Sequence, residues 1–341
     1  MKRILTFLTA LMFLLVMGSP CFAAGQLTTG DQTIYGNKTF EHGITVKGKL
    51  TAEGPTVGIN ATGDVFYVGS TWGHDSPGNY GETPDQPFAT IDFAIGQCTA
   101  DHGDVIYVHS YHAETVTAAI TADVAGISII GITNGRNMPT ITTATAIDML
   151  TVTAADVTIA NLKFSSPGID NVTADINIAA ARVSVFNTMH LGSETSYNNV
   201  SIITITAAGH DFLLDGLRIY NSVVEITGAA IEIEGTAARG EIRYCLVMDT
   251  IGLALGAIDD AAAATALYIH HNILKNAKAA TAVIDFTNNS TGICSFNHIS
   301  GRHTTIASNV VTGTSMDFFE NRVTEEPVLN GMIMPAADAD S

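Results

Sequence analysis

Basic residues are scarce in this chain: 15 Lys and Arg stand against 33 Asp and Glu in 341 residues, a formal net charge of −18. Such an imbalance argues against nucleic acid and against anionic lipid as partners, because both need a positive field. Between Thr51 and Gly135 there is no Lys or Arg at all, while Glu53, Asp64, Asp75, Glu82, Asp85, Asp92, Asp101, Asp104, Glu114 and Asp123 all fall there. That surface attracts cations and repels a polyanionic sugar unless metal ions or the few arginines intervene. Cysteine is also rare. Of four, Cys21 sits in the leader read below, which leaves Cys98, Cys245 and Cys294. An odd number of thiols cannot all pair within one exported chain, so the core is expected to hold them as small buried side chains and to stand without disulfides.

Long apolar runs are missing except at the start, where Lys2 and Arg3 precede Ile4 to Val16 and Gly18, Ser19 and Pro20 break the run. At about 13 residues it is too short for the roughly 20 of a spanning helix. Small residues around Cys21, Ala23 and Ala24 supply a cleavage site, so residues 1–24 are read as a signal peptide. The expected location is secreted, periplasmic or at the cell surface, with no membrane insertion after cleavage. Charged residues make up only 14% of the chain and apolar ones 46%. A two-layer protein with charged helices fits that poorly; a stack of short strands tiled with Thr, Ser and Asn fits it well.

An internal repeat carries the fold assignment. Four segments share the order apolar, two variable, Asn, one variable, apolar: Ile269 to Leu274, Cys294 to Ile299, Ile306 to Val311 and Phe318 to Val323. Taking Asn161, Asn187, Gly216, Cys245, Asn272, Asn297 and Asn321 as one slot gives spacings of 26, 29, 29, 27, 25 and 24 residues, the length of a solenoid coil. Asn309, 12 residues from both Asn297 and Asn321, is read as a second turn of one coil. Each coil then buries its Ile, Val, Leu or Phe against the coils above and below. Asn suits the turns because it tolerates left-handed dihedrals and its amide can bond to the next Asn along the axis. The expected fold class is all-β, a right-handed parallel β-helix with an N-terminal capping helix and a small N-terminal β element. Its divisions are residues 1–24 as signal peptide, 25–60 as the small β element, 61–103 as lead-in loop and capping helix, 104–325 as β-helix and 326–341 as acidic tail. The capping helix is read in PFATIDFAIGQC, where Phe88, Ile91, Ile95 and Cys98 share a face.

The runs DVFYVGSTWGHDSPGNYGETPDQPFATIDFAI, GDVIYVHSYHAETVT and GISIIGITNGRNMPTIT resemble the lead-in region of pectate-lyase-like right-handed β-helix proteins. The tract His112-Ala113-Glu114-Thr115, the tail GMIMPAADADS and QTIYGNKTFEHGI resemble bacteriophage-encoded β-helix and tail-fibre proteins. The resemblance spans roughly residues 60–325 and implies the fold. It implies little about function, since such scaffolds carry lyases, hydrolases, tailspikes, adhesins and stalks.

Several constellations offer candidate sites. A lyase-like arrangement needs calcium-binding acids and an Arg or Lys base; Lys163, Arg218 and Arg243, with Asp211 and Asp215 nearby, come nearest. Resemblance to hydrolases on this fold implies an aspartate array followed by Gly-His-Gly and Arg-Ile-Lys; Asp259-Asp260 is the adjacent pair, expected in a loop before the Ala run, and Gly209-His210-Asp211 and Arg218-Ile219-Tyr220 echo the two later motifs faintly. His74, Asp75, Asn79, Glu82 and Asp85 offer oxygen ligands for calcium without EF-hand spacing. His270-His271 has no metal-motif partner and is expected at a strand-to-turn junction. No catalytic, cofactor or metal residue is assigned, no cofactor is required, and Ca2+ is the one metal the acids suit. The function expected is an exported, non-catalytic structural or binding β-helix protein at a cell or virion surface, facing a polysaccharide, a surface glycan or another partner, with homo-oligomerisation open. The alternative is a polysaccharide lyase or glycoside hydrolase with a divergent site.

Overall fold

The structure is a computed structural model. It describes residues 63–325 except 77, 79, 80, 167, 192–198, 222–223, 280, 303–310 and 314, together with 332 and 333. All of these belong to one of two compact units, Gly54–Ser341. The segments read as signal peptide (1–24) and as a small β element (25–60), the turn read at Asn309 and almost all of the tail lie outside the described residues.

Strands of two to seven residues form three sheets of ten, ten and eight strands. The first runs from Val65–Val68 through Val105–Val108 to Met316–Phe319, the second from Ala113–Val116 through Arg322–Glu325 to Met332–Ile333, and the third from Ile120–Ala122 to Val311–Thr312. Within each sheet a strand pairs in parallel with the strand one coil later, as between Val185 and Leu214 or Ile176 and Ile203. One pairing among the described strands is antiparallel, Arg322–Val323 with Met332–Ile333. Three parallel sheets visited in rotation are the parallel β-helix expected from the repeat, and crossovers of this kind are right-handed in nearly all proteins.

Alternation of side chains makes the core. On the first sheet Ile106, Ile129, Ile159, Val185, Leu214, Ile242, Ile269, Cys294 and Phe318 occupy one inward column, coil upon coil, each less than a tenth exposed. Full burial of one such aliphatic side chain is worth about 1.5–3 kcal/mol. The column is therefore the main source of cohesion along the axis. The single α-helix among the described residues, α1 (Ile91–Ile95), is shorter than the sequence pattern predicts. Thr90 caps it by accepting the Phe93 N–H at 3.3 Å, and its buried Ile91, Ala94 and Ile95 pack against the first coil. Phe88 is buried too, whereas Cys98 is only half-buried. The first sheet already begins at Val65–Val68, inside the segment read as lead-in.

The corner between the first and second sheets corrects the repeat by one residue. Register on the second sheet aligns Lys163, Met189, Arg218, Leu246, Ile273, His298 and Arg322. Counting back two places, the left-handed position is Asn161, Asn187, Gly216, Tyr244, His271, Phe296 and Glu320, all with φ between 48° and 71°. Cys245, Asn272, Asn297 and Asn321 stand one place later and are buried. The asparagines thus form two ladders. Asn187 donates to Asn161 Oδ1 at 2.7 Å on the half-exposed corner. Inside, Asn272 donates to Asn297 and Asn297 to Asn321, at 3.0 and 2.9 Å, and each amide also satisfies backbone groups of the turn. Both columns favour Asn, one for its dihedral tolerance and one for its paired donor and acceptor, so the letters align while the roles differ.

Candidate functional site: a carboxylate column on the third sheet

The outward column of the third sheet reads, coil by coil, Thr121, Thr151, Asn177, Thr204, Glu232, Asp259, Asp285 and Thr312. Its strands alternate these residues with Ile or Val facing the core, which is why hydroxyl, amide and carboxylate groups all emerge on one side. Glu232, Asp259 and Asp285 occupy consecutive coils. Neighbouring backbones there are about 4.8 Å apart, so the three carboxylates are forced together.

Asp259 is the centre of the column. It is 8% exposed and, among the described residues, accepts no hydrogen bond. Burial, then the charges of Asp285, Glu232 and Asp260, push its carboxyl up to about 7. Its neighbours are held in place: Glu232 accepts from the Ser201 hydroxyl, and Asp285 Oδ1 accepts from the Thr312 hydroxyl at 2.6 Å and the Thr287 N–H at 3.1 Å. Burial, with Glu232 and Asp148, also raises Glu234. The arrangement can present a protonated acid between two carboxylates near neutral pH, and its oxygens suit a hard cation.

The pair Asp259-Asp260 lies on the strand Gly256–Asp260 and not in a loop. A strand turns consecutive side chains to opposite faces, so Asp260 points inward, accepting from Ser290 Oγ at 2.6 Å, and takes no part in the outer column. Glu232 and Asp285 were not singled out from sequence. The signal was there, since they lie 27 and 26 residues from Asp259, one coil on either side.

The other expected constellations are spread or closed. Lys163 and Arg218 share a column of the second sheet, but Arg243 belongs to the first sheet, beside Asp215. Arg243 bonds to Asp215 and Glu241 at 2.9 and 2.8 Å, and His270 Nε2 meets Glu241 at 2.9 Å. Burial works against the Glu241 carboxylate, yet His270 and Arg243 hold it below its ordinary range. His271 follows at the corner, its Nδ1 2.8 Å from that of His270. Asp211 is engaged by Arg239 at 2.5 and 2.8 Å, which lowers its pKa. His210 sits in the turn before the strand Leu213–Asp215, and Ile219 in the core. Asp75 accepts from the Ala89 and Thr90 N–H groups ahead of α1, at 2.7 and 3.3 Å; Asn79 lies outside the described residues. Cys98, Cys245 and Cys294 are free thiols, each pushed up to about 12, chiefly by burial.

Two further groups were not foreseen. Asp64, His102 and Asp104 bring ligand atoms within 4.8 Å of one another, but Asp104 is already used, accepting from Asp64 N at 2.6 Å and Thr99 N at 2.7 Å. Thr188, His190 and Asp175 follow one another at 2.9 Å, in the order of a nucleophile relay, yet all three are buried inside the coil. Asp175 also accepts from Asn199 and is raised by burial, so it ties together the two chain ends flanking residues 192–198.

No family model and no curated protein matches this chain. Among solved structures it is similar to a rhamnogalacturonan lyase (14% identity, 79% of each chain covered, TM-score 0.38). A pectin methylesterase bound to a hexasaccharide also matches (12%, 79% and 92% covered, TM-score 0.40), as does ORF18 of Geobacillus virus E2 (11%, 70% and 58% covered, TM-score 0.32). The parallel β-helix itself stands on the strand register of this chain.

Proposed function

We propose that this is an exported structural or binding β-helix protein that holds a neutral glycan along its third sheet. The observation that carries the reading is the continuous column from Thr121 to Thr312, which holds a hydroxyl, amide or carboxylate at every coil and no basic side chain, with all but the buried Thr204 and Asp259 partly exposed. Sugar hydroxyls bond to such groups, and a polymer lying along the axis meets them at a constant repeat. A uronate polymer would face repulsion from Glu232, Asp259 and Asp285 unless Ca2+ bridged them. The basic, then apolar, then small-residue pattern of residues 1–24, read as a signal peptide, supports export.

Asp259 favours a second reading, glycoside hydrolysis. Its protonated carboxyl would give a proton to the glycosidic oxygen as the C–O bond breaks, while Glu232 or Asp285 takes a proton from the attacking water. Eliminative cleavage is disfavoured, because the column has no Arg or Lys to remove a proton from carbon. The test is to incubate the purified protein with neutral and uronate glycans, with and without Ca2+, scoring retention, new reducing ends and unsaturated ends. Retention of a neutral glycan without new ends supports the binding reading. New reducing ends that vanish in Asp259→Asn support hydrolysis, and a protein that neither retains nor cleaves any glycan overturns both.

A further inference from the structure

The cations of this acidic chain divide into paired and unpaired sets. Arg182, Arg239, Arg243 and Lys278 each pair with a carboxylate. Among the described residues Lys163, Arg218, Arg302 and Arg322 pair with none, although acids outnumber Lys and Arg 33 to 15. All four leave the outer face of the second sheet. Lys163, Arg218 and Arg322 stand in one register column, His298 stands one coil before Arg322, and Arg302 emerges at the end of the strand His298–Arg302. The rest of that column is Ala113, Thr140, Met189, Leu246 and Ile273, with no acid in it. Arg218, His298, Arg302 and Arg322 are exposed.

With more than two acids for every base, chance placement would leave carboxylates unpaired, not cations. A face on which Lys163, Arg218, Arg302 and Arg322 stay free, beside the engaged Lys275 and Lys278 of the strand Ile273–Ala279, is arranged for an external anion. We propose that the outer face of the second sheet binds a linear polysaccharide carrying carboxylate or sulfate groups. Lys163 and Arg322 are six coils apart, about 29 Å at about 4.8 Å per coil. A strip one side chain wide and this long fits an extended polymer lying along the axis. A bilayer would spread over the acidic surface on either side and be repelled. Single-stranded nucleic acid binds through aromatic stacking platforms; the column itself holds one ring, His298, with Tyr244 and Phe296 exposed at the corner beside it, so oligo(dT) is the competing ligand in the test. Met189, Leu246 and Ile273 instead offer apolar surface to the C–H faces of sugar rings. Arginine forks match carboxylate and sulfate geometry, and several weak contacts along one chain sum to useful avidity. The site is independent of the third-sheet column, which has the opposite charge.

The full chain is tested by affinity electrophoresis and calorimetry against alginate and dextran sulfate, with dextran as neutral control and oligo(dT) as nucleic acid. Both polyanions should bind, and binding should weaken as NaCl rises through the range where the Debye length falls below about 10 Å. The double variant R218Q/R322Q should bind at least about tenfold more weakly, a loss of about 1.4 kcal/mol. Asp259→Asn should leave polyanion binding unchanged, which separates failure here from failure of the third-sheet reading. These arginines are exposed and unpaired, so the variants should melt with wild type; R218K/R322K, which keeps charge and loses the fork, should fall between. Absence of polyanion binding, equal binding by R218Q/R322Q, or oligo(dT) bound as tightly as alginate would each overturn the proposal.

Discussion

Asp259 shows how one buried carboxyl makes stability depend on pH in the unusual direction. Its folded pKa of about 7 lies above the ordinary 3.8. The folded state therefore binds the proton more tightly than the unfolded chain, and stability from this group is complete below about pH 4 and lost as pH rises through 7. Each pK unit is worth about 1.4 kcal/mol, so a few kcal/mol are at stake. Thermal melts between pH 4.5 and 8.5 should show wild type losing stability with rising pH relative to Asp259→Asn, which keeps the shape and cannot ionise. Parallel curves for the two would mean that the carboxyl ionises at an ordinary pH. The sequence made Asp259 visible as half of an acidic pair, but not its isolation from Asp260. That separation follows from strand alternation, which is legible only once Gly256–Asp260 is known to be a strand and the Ala run after it is known to be the turn.

At the scale of the turn, the two asparagine ladders should differ in energetic weight. Asn297 is fully buried; its oxygen accepts from Asn272 and its amide donates to Ile269 O and Asn321, all near 3.0 Å. Asn297→Ala leaves buried donors and acceptors unpaired at about 1–3 kcal/mol per group, so a loss of about 3 kcal/mol is expected in urea unfolding. Asn187 is half-exposed, and water can replace its bond to Asn161. Asn187→Gly, which keeps the left-handed φ of 48° accessible, should cost less than about 1 kcal/mol. Equal losses would mean that the ladders are not distinct. The coil period was readable because it is set by chain length per turn, and a one-place offset barely alters it. The offset itself was hidden because Asn satisfies both positions, and because Tyr244, His271, Phe296 and Glu320 hold left-handed dihedrals that their residue types do not advertise. The third-sheet column was hidden for a related reason. Glu232 and Asp285 are ordinary acids in isolation, and only the sheet register makes them neighbours of Asp259.

For the whole molecule the question is which electrostatic effect dominates, the exposed ion pairs or the general self-repulsion. The ladder Asp156–Arg182 and Asp211–Arg239 is bidentate, with contacts of 2.5–2.8 Å, but its side chains are between 36% and 61% exposed. Exposed pairs contribute little and lose that little in salt. Against them stands a net charge of −18 with carboxylates crowded on the third sheet, a repulsion that acts only in the compact state and is screened over about 8 Å at physiological ionic strength. Repulsion should win, so the melting temperature should rise as NaCl is added at pH 8. A fall would mean that the ion-pair ladder governs stability. CaCl2 at matched ionic strength divides the effect further. If the oxygens of Glu232, Asp259 and Asp285 hold the ion together, calcium should stabilise wild type beyond the NaCl curve, by an increment that grows with RT ln(1 + [Ca]/Kd) and disappears in the double variant D259N/D285N. If the two salts give one curve, screening alone accounts for the gain, and the column acts through its proton and its hydrogen bonds.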